Sequence, residues 1–244
     1  VKMLEETGDE AKSQGWTPFI LDTNGNGQRD AYTEPNQPLD PGKDRRINVA
    51  FYGVSPSRDG TVWGTSLGYP GYVVRLDPTK PNPAATALAE VYEVPAPGYG
   101  PRGMDIDTQN VVWVPLASGH LAAFDRRKCK VLNGPTIATG RHCPEGWTLY
   151  PFPGPQLAGL TESGSAEASY YTWVDQHDTF GLGKDIPFAT GNQNESLIAF
   201  KDGKMINLVV PYPMGFYAKT VDGRIDDPNA GWKGRGIWAT TGNR

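Results

Sequence analysis

The stretch with the most chemically specific spacing in this chain is LDTNGNGQRDAYTE, Leu21 to Glu34. Asp22, Asn24 and Asn26 alternate, Gly27 follows, and Asp30 stands ninth counting from Asp22. A hard cation such as Ca²⁺ takes about six to eight oxygens. Alternating side chains turn toward one centre, glycine permits the sharp turn, and the seventh residue, Gln28, offers its backbone carbonyl. Asn in place of Asp keeps an oxygen at lower charge. The twelfth residue is Thr33 and Glu34 comes one later, so the remaining carboxylate is Glu34 or a neighbour such as Asp40 or Asp44. The spacing predicts a structural Ca²⁺ on Asp22, Asn24, Asn26, Gln28, Asp30 and Glu34, tying down the Pro/Asp-rich connection 31–47. The same residues also make a metal-free turn, because Asx side chains bond their own backbone.

Cys129 and Cys143 are the two cysteines, and they flank the turn-rich NGPTIATGRH. A hairpin of that length brings two Cα atoms within bridging range. The chain has no C-x-x-C, no haem attachment motif and no His/Cys spacing suited to zinc. A Cys129–Cys143 disulfide is therefore expected, and with it an oxidising compartment, periplasmic, secreted or cell-surface. The histidines are His120, His142 and His177. In YYTWVDQHDTF a strand places Trp173, Asp175 and His177 on one face. Asp175 and His177 then read as an acid/base or metal pair, or as a polar strand edge with a hydrogen-bonded histidine. His120 opens the strand-like HLAAFD, near one mouth of the ring described next. Asn194-Glu195-Ser196 is a formal glycosylation sequon of a kind that also occurs by chance.

These residues need elements to hold them, and the chain supplies a repeat. Pro-x-Pro follows a strand-like run at Pro95/Pro97, Pro153/Pro155 and Pro211/Pro213, 58 residues apart each time. Proline stops a strand because it lacks the N–H and fixes φ. An aromatic recurs in a later strand at Trp63, Trp113, Phe188 and Trp238, in steps of 50, 75 and 50, the long step holding the cysteines. Apolar runs recur at Val73 to Asp77, Leu121 to Asp125 and Leu197 to Asp202. A repeat of about 50 residues made of short strands predicts an all-β propeller of four-stranded blades. Blades are expected at 49–97, 101–155 and 168–213, with 1–21 as the end of a blade, 22–47 as the calcium-loop connection and 214–244 as the start of a further blade.

The two ends read as complementary halves, strand-like at VKML and TPFILD and again at FYAKTV and GIWATT. Either they pair to close a small four-bladed ring, or the chain is a piece of a larger propeller. The second is preferred because four-bladed rings lie at the small end of the range. With 30 Gly and 22 Pro the chain has turn residues for many short strands. A net charge of -4 gives no electrostatic case for nucleic acid or an anionic membrane. No apolar run approaches the ~20 residues that span a bilayer.

The run YEVPAPGYGPRGMDIDTQNVVWVPLASGHLAAFD resembles the repeat of streptogramin lyase-type propellers, the virginiamycin B lyase group. Tyr92, Pro95, Pro97, Pro101, Gly103, Asp107, Trp113 and Phe124 carry the likeness. Asp59, Gly60, Trp63, Leu76, Asp77 and Pro78 repeat it upstream, and Asp222, Gly223 and Trp238 near the end. The resemblance implies blades of that type and, in the complete lyases, a seven-bladed ring in which Mg²⁺ and a histidine/glutamate set near the axis open a cyclic depsipeptide by elimination. This chain has no counterpart of that cluster on matching strands, so no catalytic residue is carried over. The whole chain also resembles the C-terminal propeller part of large secreted bacterial proteins with a carboxypeptidase-regulatory-like domain, a resemblance that implies no activity.

Two functions stay open. One is a calcium-stabilised extracytoplasmic propeller serving as a binding or scaffold module for a protein or glycan partner, or joining the remaining blades of a longer parent chain. Tyr69, Tyr72, Tyr99, Trp232, Arg102 and Arg235 are its candidate contact residues, because aromatics and Arg dominate interface energy. The other is a lyase or lactonase with a divalent metal near the axis and His120, Asp175 or His177 as acid/base. A catalytic propeller gathers several polar side chains at one end of its axis.

Overall fold

The computed structural model describes residues 2–159, 164–224, 231 and 234–241. The chain opens on two short helices, α1 (Lys2–Thr7) and α2 (Glu10–Ser13). The strand expected at VKML is not formed. KMLEET is built of good helix formers with no β-branching up to its last residue, and Asp9 caps α2 by accepting from the Lys12 N–H at 3.1 Å. Strand β1 (Phe19–Leu21) follows, then β2 (Tyr32–Thr33) and β3 (Asp44–Ile47) inside the connection 31–47.

The first blade is β4 (Gly53–Pro56), β5 (Val62–Ser66), β6 (Tyr72–Asp77) and, after the helical turn α3 (Pro83–Thr86), β7 (Leu88–Glu93). The second is β8 (Asp105–Ile106), β9 (Val112–Leu116), β10 (His120–Phe124) and β11 (Trp147–Pro151). The third is β12 (Thr172–Asp175), β13 (Ile186–Gly191), β14 (Ser196–Lys201) and β15 (Lys204–Val209). In all three, sequence neighbours pair antiparallel. A two-stranded sheet, β16 (Ala218–Arg224) with β17 (Gly236–Thr241), comes last. The four first strands, β4, β8, β12 and β16, lie side by side about one axis, and β8 approaches β12 in parallel through Gly103 and Tyr171. Radial succession of such sheets makes the fold all-β and propeller-like, as the repeat predicts.

Hydrogen bonds explain why the repeat carries Asp and Trp. The Asp107 carboxylate, 7% exposed, accepts from the Gln109 and Val111 N–H groups at 2.8 and 2.9 Å and from the Trp113 indole at 3.0 Å. In the first blade Asp59 accepts from both the N–H and the hydroxyl of Thr61, whose Oγ1 accepts the Trp63 indole at 3.1 Å. One carboxylate thus closes each first turn and orients the aromatic of the second strand. That aromatic then fills the space between blades. Trp63 packs with Tyr92 and Phe124 between blades one and two, and Trp113 with Tyr150 and Phe200 between two and three. Near the axis the strands come too close for a Cβ. One built on Gly103 would lie 2.0 Å from the Tyr171 ring, and one on Gly223 would lie 1.7 Å from the Trp173 indole.

The first blade continues outward in the order β7, β1, β3, β2. β1 joins β7 in parallel, Leu21 opposite Ala89, and pairs antiparallel with β3. The N-terminal segment therefore caps the outer edge of blade one, an edge that would otherwise template association. Among the described residues β1 pairs with β7 and β3, and β16 pairs with β17. No helix among the described residues is long and apolar enough to cross a membrane.

Removing the Asp107 carboxylate strands three donors at a turn that water reaches poorly. Asp107→Ala should cost about 2–3 kcal/mol in urea unfolding, while the exposed neighbour Gln109→Ala should stay within about 0.5 kcal/mol. Equal effects at the two sites would remove the Asp–Trp turn as the reason for the repeat.

Candidate cation site and axial cavity

The 22–30 loop folds around its carboxylates. Asp22, 5% exposed, accepts the Gly25 and Asn26 N–H groups on Oδ1, at 2.8 and 3.1 Å, and the Gly27 N–H on Oδ2 at 2.8 Å. Gly25 and Gly27 have φ of +82° and +77°, which glycine adopts without strain. Asn24 and Asn26 both donate their amides to Asp30 Oδ2, at 3.0 and 2.6 Å, and these bonds hold its carboxyl below the usual range. The Gln28 N–H donates to Asn26 Oδ1 at 2.8 Å.

Asp44, at the start of β3, is fully buried, and its Oδ2 accepts the Asp30 N–H at 2.7 Å. Its other oxygen has no hydrogen-bond partner. Burial pushes the Asp44 carboxyl up, and the charges of Asp22 and Asp30 add to the effect. The other two candidates for the displaced ligand are engaged elsewhere. Glu34 meets the Arg46 guanidinium at 3.1 Å, and Asp40 binds the Gly42 N–H at 2.9 Å and Lys43 at 3.3 Å. Among the described residues no group of three or more His, Cys, Asp or Glu side chains is gathered around a metal position. Two of the loop's side-chain oxygen donors are asparagines, and Asp22 is turned to backbone amides.

The segment closed by the disulfide stands against this loop. Cys129 and Cys143 are bridged with Cα atoms 5.0 Å apart, within the ordinary range. The segment they enclose touches the loop backbone directly. The Gly134 N–H donates to Asp22 O at 2.8 Å and the Asn133 amide to Gly25 O at 3.2 Å. The same excursion clamps blade one through Arg126 on Glu90 at 2.6 Å and the Glu93 N–H on Gly140 O at 2.8 Å. His142 stacks on Tyr92 with ring centroids 5.0 Å apart, and both its ring nitrogens are buried without a partner. Burial holds its pKa down despite the nearby Glu90 and Glu145 carboxylates.

The catalytic candidates are not brought together. β12 ends at Asp175, so strand alternation does not reach His177. Asp175 is fully buried and accepts three backbone N–H groups, from His177, Thr179 and Phe180, which makes it the anchor of that loop. His120 lies on the third strand of blade two, 6% exposed and 3.0 Å from Ser118 Oγ, with its pKa lowered by burial. His177 does line an axial cavity of about 570 Å³ with Ser55, Asp105, Trp173 and Asp222. Asp105, which sequence reasoning missed, joins three blades there. It accepts from Ser55 Oγ at 3.0 Å, from its neighbour Ile106 N–H at 2.8 Å and from Val174 N–H at 2.7 Å. Burial raises its pKa, with the Asp222 charge a further cause. Its offset of 50 residues from Ser55 was a signal in the sequence.

On the contact candidates, Tyr69 is 87% exposed and meets Tyr99 with centroids 5.4 Å apart. Arg102 lies 4.4 Å above the Tyr170 ring and donates to Ser169 O, bridging blades two and three. Tyr72 is a strand residue packed in the core of blade one, because β6 extends further than its loop suggested. Arg235 donates to His177 O at 2.9 Å. Trp232 lies outside the described residues. The sequon is internal: the Asn194 amide donates to Pro153 O and Glu167, and Ser196 is fully buried.

No family model matches this chain, and no curated protein matches it. Among solved structures it is similar to a streptogramin B lyase at 13% identity and a TM-score of 0.46, over 80% of this chain and 59% of that one. Virginiamycin B lyase from Staphylococcus aureus follows at 14% identity and a TM-score of 0.37, over 79% and 70%. A protein assigned as a gluconolactonase matches at 12% identity and a TM-score of 0.42, over 84% and 62%. The chain thus spans 59% of the first of these. Likeness at this level assigns no activity.

Two outcomes follow from the excursion. Reduction of Cys129–Cys143 should cost about 3 kcal/mol in the chain-entropy account of a loop this size. It should also speed proteolysis within 22–30, and cleavage there at the same rate before and after reduction would separate the two segments. For His142, a folded pKa below the unfolded value of about 6.5 means the unfolded chain binds the extra proton. Its stability is complete above about pH 6.5 and is lost as pH falls through the folded pKa. The raised Asp44 and Asp105 carboxyls act with the opposite sign, so the comparison with a variant is the readout. His142→Phe should lose less stability than wild type between about pH 7 and 5, and parallel pH curves would contradict this.

Proposed function

We propose that this chain is a calcium-stabilised propeller domain of a secreted or periplasmic bacterial protein, working as a binding or scaffold module. The observation that carries the calcium half is Asp44 Oδ1, a fully buried carboxylate oxygen without a partner, on a side chain already bonded to the Asp22–Asp30 loop. A bound cation supplies the partner that the protein lacks. The disulfide supports an extracytoplasmic location, since such bridges persist where thiols are oxidised.

The binding half rests on the exposed Tyr69 with its neighbour Tyr99, and on the separate pair Arg102 and Tyr170. Aromatic rings held rigidly against one another offer contact area at small entropic cost, which suits a protein or glycan partner. The resemblance of the chain to propeller parts of longer secreted proteins agrees with a module role, its remaining blades or partner domains lying in such a parent. The lyase or lactonase reading finds less support. Asp175 and Asp105 are saturated by hydrogen bonds that hold the fold, and His120 is buried away from the axial cavity.

Calcium added to chelator-treated protein should raise the melting midpoint, by an amount equivalent to about 2.7 kcal/mol at a hundredfold excess over Kd. Magnesium should do much less, because it keeps its waters. A midpoint indifferent to both calcium and chelator would remove the calcium half of this reading.

A further inference from the structure

We infer that the charged ligand completing the 22–30 loop is Asp44, 14 residues past Asp30, on none of the loop's own positions but on strand β3, and that Glu34 lies outside the site. The inference rests on the calcium reading above and names the residue on which that reading turns.

Three observations carry it. First, Asp44 is the one of the three candidate carboxylates that is fully buried, and one of its oxygens has no partner. Protonation does not repair this, since it leaves a buried O–H in place of the orphan acceptor. Second, the other oxygen accepts the N–H of Asp30, so the carboxylate is already seated against the ninth residue of the loop. Third, its position is fixed by backbone on both sides. The Asp44 N–H donates to Ala31 O at 3.0 Å, its carbonyl accepts from Thr33 Oγ1 at 3.3 Å, and β3 is locked between β1 and β2. Glu34 has none of these features: it is half-buried and turned to Arg46.

The consequence is a site closed by topology. In a loop whose twelfth residue is the acid, the ligand set is local and can form in a peptide. Here the last carboxylate arrives only when β3 has paired with β1, so cation binding reports the assembled outer edge of blade one. Asp22, turned to backbone amides, would join Asp30 and Asp44 only by rearranging, and the set would then carry three negative charges and two neutral amides, chemistry that fits a hard divalent ion.

The test uses the full chain with Ca²⁺ as probe. In chelator, Asp44→Asn should melt close to wild type, because it keeps an oxygen for the Asp30 N–H. In calcium it should lose the rise seen in wild type, with affinity by titration calorimetry weakened at least about tenfold. Glu34→Gln should keep both the rise and the affinity. A rise retained by Asp44→Asn, or lost by Glu34→Gln alone, would overturn the assignment while leaving the calcium reading intact. No rise in wild type would sink both. A measurement on wild type guards against misfolding of the variant. On calcium addition the carboxyl ¹³C resonance of Asp44 should move together with those of Asp22 and Asp30, while that of Glu34 stays; an Asp44 signal that does not move would overturn the inference.

Discussion

A four-stranded blade of this chain cannot stand alone, because both of its faces are apolar and each must be covered by the next blade. That requirement sets most of what is seen. The aromatic of each second strand is aimed by an Asp-closed turn, so that Trp63 meets Phe124 of the following blade and Trp113 meets Phe200 of the one after. Burying one such side chain is worth about 2–3 kcal/mol in transfer terms, which is large against the net stability of a domain. At the axis, where the strands crowd, bulk gives way to Gly103 and Gly223, and polar linkage takes over in Asp105, bonded to first strands on either side.

Covering the faces leaves the edges. The outer edge of blade one is taken up by β1, β3 and β2, short strands of which β1 brings Ile20 and Leu21 into the core. Such an annex is held by what surrounds it. Behind it stands the disulfide excursion, bonded to Asp22 and Gly25, and within it stands the Asp44 carboxylate. A cation at this point would tie the loop, β3 and, through Gly134, the second blade's excursion into one unit. Such a role would be mechanical.

The repeat was legible because its marks are local. Proline pairs, an Asp one to three residues before a Gly or Asn, and an aromatic a few residues on each do their work within one hairpin. The disulfide was legible for the same reason, since two cysteines and a turn-rich spacer leave few other options. What escaped the sequence was non-local or depended on where a strand stops. Nothing in FIL tells that β1 will join β7 in parallel. The alternation through Trp173, Asp175 and His177 broke because Asp175 turns its carboxylate back onto the next N–H groups and ends the strand. In the 22–30 loop, the Asp, Asn and Gly spacing marked a turn folded around its carboxylates, but which of Glu34, Asp40 and Asp44 is buried against it depended on β3, which pairs only in the fold.

The central claim is that an ion belongs beside Asp44. A crystal structure from protein grown with calcium, with anomalous data to identify the ion, tests it most directly. The account predicts a peak bonded at about 2.3–2.6 Å by Asp44 together with Asp22 and Asp30, with Glu34 still on Arg46. An Asp44 carboxylate that meets only water or backbone, with no ion in the loop, would contradict it.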